Sequence, residues 1–255
     1  MKTEVFEPFG LRDSGIDDDS PLRDPVAQGN QVSGSFDLKP APAIHWTSKT
    51  GNGSAYSNVG DEWKWLQGIV RGNLLSESSR KAMFEVGAGY GWESRQSVRF
   101  GQPVYFVGGR APGFSSFMLY LPAADLTIVV LTNIENQANS TIVMDAAALL
   151  LGKPYQAFQY ESVPRALVGQ PSGDFVFGPD FYRPSATLNL VSDANGVTLN
   201  WPGGPTAGLL PIGRDRFMDR YYWIDASIVR GKDGSPIELD YGKFKGAIST
   251  HPTAH

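Results

Sequence analysis

The sequence predicts an α+β protein in two parts: a mixed helix-and-strand region, then a small antiparallel β-domain. Three observations carry this reading. Residues 1 to about 155 mix helical and strand periodicities. From Pro171 onward strand follows strand with no helical period. Between them, Gln156 to Gln170 reads as a connector. The expected boundaries are therefore 1–155, a linker over 156–170, and a β-domain over 171–250.

In the β-domain, Ala186 to Val191 and Val197 to Trp201 flank Ala194-Asn195-Gly196. Asn-Gly between alternating runs marks a hairpin, because both turn residues must tolerate positive φ. Val197, Leu199 and Trp201 share one strand face. A second hairpin is expected at Lys232-Asp233-Gly234, between Trp223 to Arg230 and Ile237 to Tyr241. Regular hairpins of this kind build a barrel or a sandwich. The aromatics Phe175, Phe177, Trp201, Phe217, Tyr222, Trp223, Tyr241 and Phe244 supply its core, since aromatic rings dominate core burial. The competing reading is that they line a small-ligand pocket, which would make the chain a binding or interaction protein.

The first part has a helix signalled by Val59, Trp63, Leu66, Ile69 and Val70, with Ser57 and Asn58 placed to cap it. Leu75 to Val86 reads as a second helix capped by Ser76. Pro103 to Asn133 reads as three strands, the last two joined by a turn at Pro122-Ala123-Ala124-Asp125. Thr141 to Leu151 is apolar on nearly every side apart from Asp145, so it is expected to be a buried helix, capped by Asn139 and Ser140 and stopped at Gly152. Ile128 to Leu131 is a continuous apolar run, the pattern of a strand inside a sheet with both faces covered.

Bulk properties narrow the function. The chain has 255 residues, 41% hydrophobic and 19% charged, with a net charge of −4. No broad cationic surface is available for nucleic acid. Absence of cysteine removes thiolate chemistry, and the three histidines, His45, His251 and His255, two of them at the C-terminus, suggest no metal site. No cofactor is implied: Gly87-Ala88-Gly89-Tyr90-Gly91 is followed by Trp92, where a dinucleotide loop needs glycine. Asp17-Asp18-Asp19 lacks calcium-loop spacing and reads as a solvated acidic turn. His45 has no evident carboxylate partner, and Arg214, Asp215, Arg216, Asp219 and Arg220 read as exposed ion pairs. The N-terminal MKTEVFEPFGLRDSG is not a signal peptide, and no apolar run is long enough to span a bilayer, which fixes no compartment.

Three literal motifs invite a catalytic reading: Lys49-Thr50-Gly51, Tyr56-Ser57-Asn58, and Ser78-Ser79-Arg80-Lys81. They spell K-T-G, Y-x-N and S-x-x-K, the signatures of penicillin-recognising serine hydrolases. That chemistry needs a serine on the first turn of a buried helix and a lysine one turn on, desolvated so that it accepts the hydroxyl proton. Here the S-x-x-K lies on a short polar helix and the K-T-G in a glycine-rich loop, so the letters read as coincidence. A rebuilt site using Ser78 and Lys81, or Ser57, with Tyr56 and Lys49 nearby, stands as the alternative.

A different alignment carries a resemblance. Phe6-Glu7-Pro8-Phe9-Gly10-Leu11 with Arg12-Asp13-Ser14-Gly15 resembles F-x-P-L-G-M-x-D-T/S-G, and Gly53 to Asp61 resembles the helix entrance G-G-L-Y-S-T-x-x-D-L. Leu74 to Ser79 resembles L-L-S-P-E-S, Tyr90-Gly91-Trp92 resembles the end of Y-G-Y-G-W, and Val107 to Ser116 resembles H-G-G-x-x-P-G-F-S-S. These are stretches of the beta-lactamase-related serine hydrolases, which include class C beta-lactamases, family VIII-type esterases and D-alanyl-D-alanine peptidases. The resemblance covers about residues 5 to 152. The β-domain resembles the small barrel-like domain often appended to them, through Phe177 to Phe181 and Asp215-Arg216-Phe217. It implies the C-terminal part of a beta-lactamase/transpeptidase-like α/β fold. In the family the S-x-x-K helix and Y-x-N loop precede the F-x-P-L-G-M stretch, and here five residues do. Val107 stands where the family has Lys or His. The expectation is a chain that is catalytically silent alone, with Val107, Gly108, Gly109 and Arg110 as one wall of a substrate groove. Its partner would be a second copy or a separately encoded N-terminal segment, joined through the strand Thr127 to Thr132.

Overall fold

The computed structural model describes residues 1–20, 26–51, 53–72, 74–85, 89–155, 157, 159, 160, 172–194 and 196–249. These fall into two compact units. Met1–Gly29, Ala41–Glu135 and Asn139–Gln156 make the first; Asn30–Pro40, Asn136–Ala138 and Ala157–His255 make the second. In chain order the elements up to the connector are β1 (Gly15–Ile16), β2 (Asn30–Ser33), β3 (Asp37–Pro40), β4 (Ala55–Tyr56), α1 (Val59–Arg71), α2 (Glu77–Met83), β5 (Glu93–Ser97), β6 (Gln102–Ala111), β7 (Phe114–Leu121), β8 (Leu126–Thr132) and α3 (Ala138–Leu150).

The first unit is built on an antiparallel four-stranded sheet in the order β5-β6-β7-β8. The alternation of each strand gives it two apolar faces. Val104, Leu119, Leu121, Leu126, Ile128 and Val130 pack with Val143, Ala147 and Ala148 of α3 on one side. On the other, Tyr105, Val107, Met118 and Val129 pack with Leu66 and Trp65 of α1 and with Met83, Phe84 and Trp92. Strand β5 was not foreseen: ESRQS is polar and has no apolar alternation.

The caps explain where the helices begin. Asn58 Oδ1 accepts from the Asp61 amide at 2.8 Å, and Ser76 Oγ accepts from the Ser79 amide at 3.1 Å. Of the expected pair at α1, Asn58 is the cap. Helix α2 covers only the middle of the expected Leu75–Val86, and Val86 lies outside the described residues. In α1, Leu66 and Ile69 are buried, while Val59 and Trp63 face solvent. The neighbouring Trp65 turns inward and stacks on Trp92, with centroids 6.0 Å apart. Gly68 lets the N-terminal turn approach the helix, because a Cβ there would lie 2.0 Å from the Phe9 ring.

Two expectations are corrected here. Helix α3 begins at Ala138, whose amide donates to Asn136 Oδ1 at 3.0 Å, so Asn139 and Ser140 lie inside the helix. It is also not fully buried: Val143, Ala147 and Ala148 are sealed, but Ile142, Leu149 and Leu150 are exposed. Strand β8 is not interior. Among the described residues it pairs with β7 alone, and all seven of its residues are half-buried. Its apolar run reflects α3 on one face and the α1 side on the other, and among the described residues no strand pairs with its outer edge.

The second unit contains β9 (Gly173–Phe177), β10 (Thr187–Asp193), β11 (Gly196–Asn200), β12 (Thr206–Gly213), β13 (Arg216–Asp219), β14 (Asp225–Arg230), β15 (Pro236–Tyr241) and β16 (Phe244–Ile248). They form a closed antiparallel barrel, each strand paired with its successor and β16 with β9. Closure removes every sheet edge. Inward-pointing residues fill it: Phe175, Leu188, Leu190, Leu199, Leu209, Phe217, Leu239 and Tyr241 are fully buried. Trp201, Ile224 and Phe244 pack against that core, so the aromatics singled out in the sequence are largely occupied by one another. Of the first hairpin turn, Asn195 lies outside the described residues; at the second, Gly234 takes a φ of 84°.

The hairpin β2–β3 also belongs to this unit. Ser35 at its tip accepts from the Val197 amide at 2.8 Å, and Arg220 donates to the carbonyls of Ser35 and Asp37 at 3.1 and 3.0 Å. Gly208 makes the contact possible, since a Cβ would lie 1.8 Å from the Gly34 carbonyl oxygen. Not all of the expected surface ion pairs are on the surface. Asp215 pairs with Arg230, and Arg216 with Asp225, but Asp219 is fully buried. Its Oδ1 accepts from the Tyr221 and Tyr222 amides at 2.7 and 2.8 Å, and its Oδ2 accepts from the Tyr241 hydroxyl.

Candidate functional site

A cleft of about 340 Å³ lies on the α1 face of the four-stranded sheet. Its floor comes from Val107, Gly108 and Gly109 of β6, Ser116, Phe117 and Met118 of β7, and Val129 and Leu131 of β8. Asp61, Glu62 and Trp65 of α1 make one wall, Ala55, Tyr56 and Ser57 a second, and Met1, Val5, Phe6, Leu11 and Ser14 a third. The third wall is a π-helical turn over Lys2–Phe6, and the second is held by pairing of β4 with β1. Gly15 lets the Tyr56 ring lie across this pairing, because a Cβ there would meet the Tyr56 hydroxyl at 2.4 Å.

One end of the cleft is polar. Asp61 is buried, and its Oδ2 accepts from the Asp13 amide at 2.8 Å and the Ser14 hydroxyl at 3.0 Å, while its Oδ1 accepts from Lys64 Nζ at 2.8 Å. Burial pushes this carboxyl up, but the hydrogen bonds from Lys64, Asp13 and Ser14 outweigh it, and the net position is below the usual carboxylate range. Ser14 Oγ lies 2.8 Å from Ser57 Oγ. Glu62, next in the chain, is moved the other way: burial raises its carboxyl, a hydrogen bond from Ser57 draws it back only in part, and the Asp61 charge raises it further. Sequence reading missed Ser14, Asp61 and Glu62. The first two belonged to recognised stretches but lay 47 residues apart, with no local signal to join them.

The residues singled out from the sequence separate. Val107, Gly108, Gly109 and Tyr56 line the cleft, as does Ser57; Arg110 is exposed and lies outside the lining. Ser78 and Lys81 are exposed on α2, where Ser78 Oγ lies 2.9 Å from the capping Ser76 Oγ, and neither lines the cleft. Lys49 ends a 3-10 turn over Trp46–Lys49 and is also outside it. That turn is fixed by Asp19, whose carboxylate accepts from the Trp46 amide and the Thr47 hydroxyl, both at 2.6 Å. His45 Nδ1 lies 3.7 Å from the same carboxylate, so it does have an acidic neighbour. The three literal motifs are therefore not assembled into one site, and Tyr56-Ser57 reaches the cleft without the lysines.

A second hollow, of about 420 Å³, lies beside α3 and is lined by Arg95, Arg99, Phe106 and Asp145 among others. Its cations have partners: Arg99 bonds Asp145 at 2.7 Å, and Arg95 lies over the Phe106 ring. It reads as a structural seam.

The family model that matches is Beta-lactamase, over residues 1–153. A comparison with curated proteins finds no match. Among solved structures, the octameric penicillin-binding protein homologue from Pyrococcus abyssi aligns at 18% identity with a TM-score of 0.51, covering 97% of this chain and 59% of that one. A D-stereospecific amidohydrolase from Streptomyces sp. aligns at 18% identity and a TM-score of 0.49, covering 57% and 46%. A penicillin binding protein from Bacillus halodurans aligns at 22% identity and a TM-score of 0.46, covering 58% and 48%. The chain thus spans about three fifths of the first of these and about half of the other two. The matched family segment takes in every residue that lines the cleft, and the chain belongs to the beta-lactamase family.

Proposed function

We propose that this chain is one part of a two-part serine hydrolase of the beta-lactamase, esterase or peptidase type, silent alone and active when a further segment completes its cleft. The observation that carries this is the open edge of β8, which is continuous with the cleft: Val129 and Leu131 belong to both. An apolar edge strand without lysine, proline or bulge is a template for another strand. In this reading Val107, Gly108, Gly109 and Arg110 are one side of the groove. Val107 can neither donate a hydrogen bond nor hold a charge, so the nucleophile and its base come from the completing segment. The exposed setting of Ser78 and Lys81 on α2, outside the lining of the cleft, supports the same division. The completing part is a separately encoded segment or a second copy of the chain; the octameric state named for the Pyrococcus relative supports self-association as a route.

The test is turnover. The purified chain, incubated with a chromogenic cephalosporin and a p-nitrophenyl ester, is expected to show no hydrolysis above background and no fluorophosphonate adduct. Turnover that disappears in Ser78→Ala or Ser57→Ala would overturn the proposal in favour of a rebuilt site.

A further inference from the structure

The cleft is apolar along most of its length, with Phe6, Trp65, Val107, Met118, Val129 and Leu131 in its lining. Its polar end holds two adjacent carboxylates in different states. Asp61 is satisfied by Lys64, by an amide and by a hydroxyl. Glu62 is not: among the described residues no cation lies within 4.0 Å of its carboxylate, and a hydrogen bond from Ser57 is the interaction that favours its charge. A partly desolvated carboxylate beside a second negative charge is costly, and burial together with the Asp61 charge raises this carboxyl.

We infer that the cleft binds an aliphatic ammonium group, its stem along the apolar floor and its nitrogen against Glu62 and the Ser57–Ser14 hydroxyl pair. The assignment rests on the reading of the cleft as the functional groove. An ammonium carries three donors on a compact charge, which suits one carboxylate and two hydroxyl oxygens converging from different chain segments. Such a group comes from an amine-bearing substrate or from a lysine of the segment that completes the cleft; the chemistry at Glu62 is the same.

Amide-resolved NMR titration of the intact chain tests this with three probes of one length: hexylammonium, hexanol and hexanoate. Hexylammonium is expected to move the Ser57, Glu62, Gly108 and Gly109 amides and to bind at least about fivefold tighter than hexanol, as a charge-assisted contact requires. Hexanoate is expected to be weakest. Glu62→Gln should reduce hexylammonium to the level of hexanol while leaving hexanol within about twofold; Glu62→Leu serves as a second variant if the glutamine form does not fold. Equal binding of hexylammonium and hexanol, or an unchanged ammonium affinity in both variants, overturns the assignment and leaves the groove reading intact. No movement of cleft amides with any probe overturns both. Leucinamide and Nα-acetyl-lysine N-methylamide then separate the sources: tighter binding of the first assigns the site to a substrate amine, and of the second to a lysine side chain.

Discussion

The barrel and the sheet unit handle the same physical problem differently. Both are antiparallel, and both bury alternate apolar side chains. The barrel returns β16 to β9 and leaves no backbone edge, whereas the four-stranded sheet stops at β8 with seven apolar or threonine residues half-exposed. A closed sheet is a finished folding unit, and an open apolar edge is a request for another strand. Stability should therefore reside chiefly in the barrel, and the proposed association and chemistry would fall to the cleft unit.

Core truncation in the barrel should have the largest effect. Phe217 is fully buried, and Phe217→Ala is expected to cost about 3–5 kcal/mol in urea denaturation. An equal loss from Val59→Ala, on an exposed position of α1, would erase the distinction.

The buried acids sharpen the comparison next, because they are predicted to respond to pH with opposite sign. Burial raises Asp219 above the carboxylate range, against the hydrogen bonds from Tyr241, Tyr222 and Tyr221. A raised folded-state value contributes stability that is complete below the unfolded value, about pH 4, and is lost as the pH rises through the folded one. Asp61 is lowered, so its contribution is complete above about pH 4 and is lost as the pH falls through its folded value. Asp219→Asn should flatten the first dependence and Asp61→Asn the second, as read from denaturation midpoints across pH. Asp219→Ala would further strand the Tyr241 hydroxyl and two amides, costing about 1–3 kcal/mol.

Smaller effects follow at the helix entrance and the edge. Asn58→Ala removes the α1 cap and should cost about 1 kcal/mol. Thr127→Lys, on the open strand, should change stability by less than about 0.5 kcal/mol yet suppress any self-association seen by sedimentation.

Where local chemistry decides structure, the sequence was legible. Asn58 and Ser76 were visible as caps, the turn at Pro122 to Asp125 was placed, and an antiparallel β-domain followed from the hairpin signals, with barrel or sandwich left open until closure of β16 on β9 decided it. What escaped depends on distant partners. Asp219 looks like one more charge in a run of charges until Tyr241 folds over it, and Arg220 finds carbonyls of a hairpin more than 180 residues earlier. At β8 the apolar run was read as an interior strand because sequence records what a strand's faces touch and says nothing of its edges. The cleft was half legible: the Val107 to Gly109 wall came from the resemblance and Tyr56 from a three-letter motif, while Glu62 stood in no stretch singled out for chemistry.

The open edge is tested most directly by amide hydrogen exchange along Leu126 to Thr132 in a chain shown to be monomeric by sedimentation. The account predicts alternation: amides bonded to β7 protected, and those facing outward exchanging at rates close to those of an unstructured chain. Uniform protection of the strand in the monomer would contradict it.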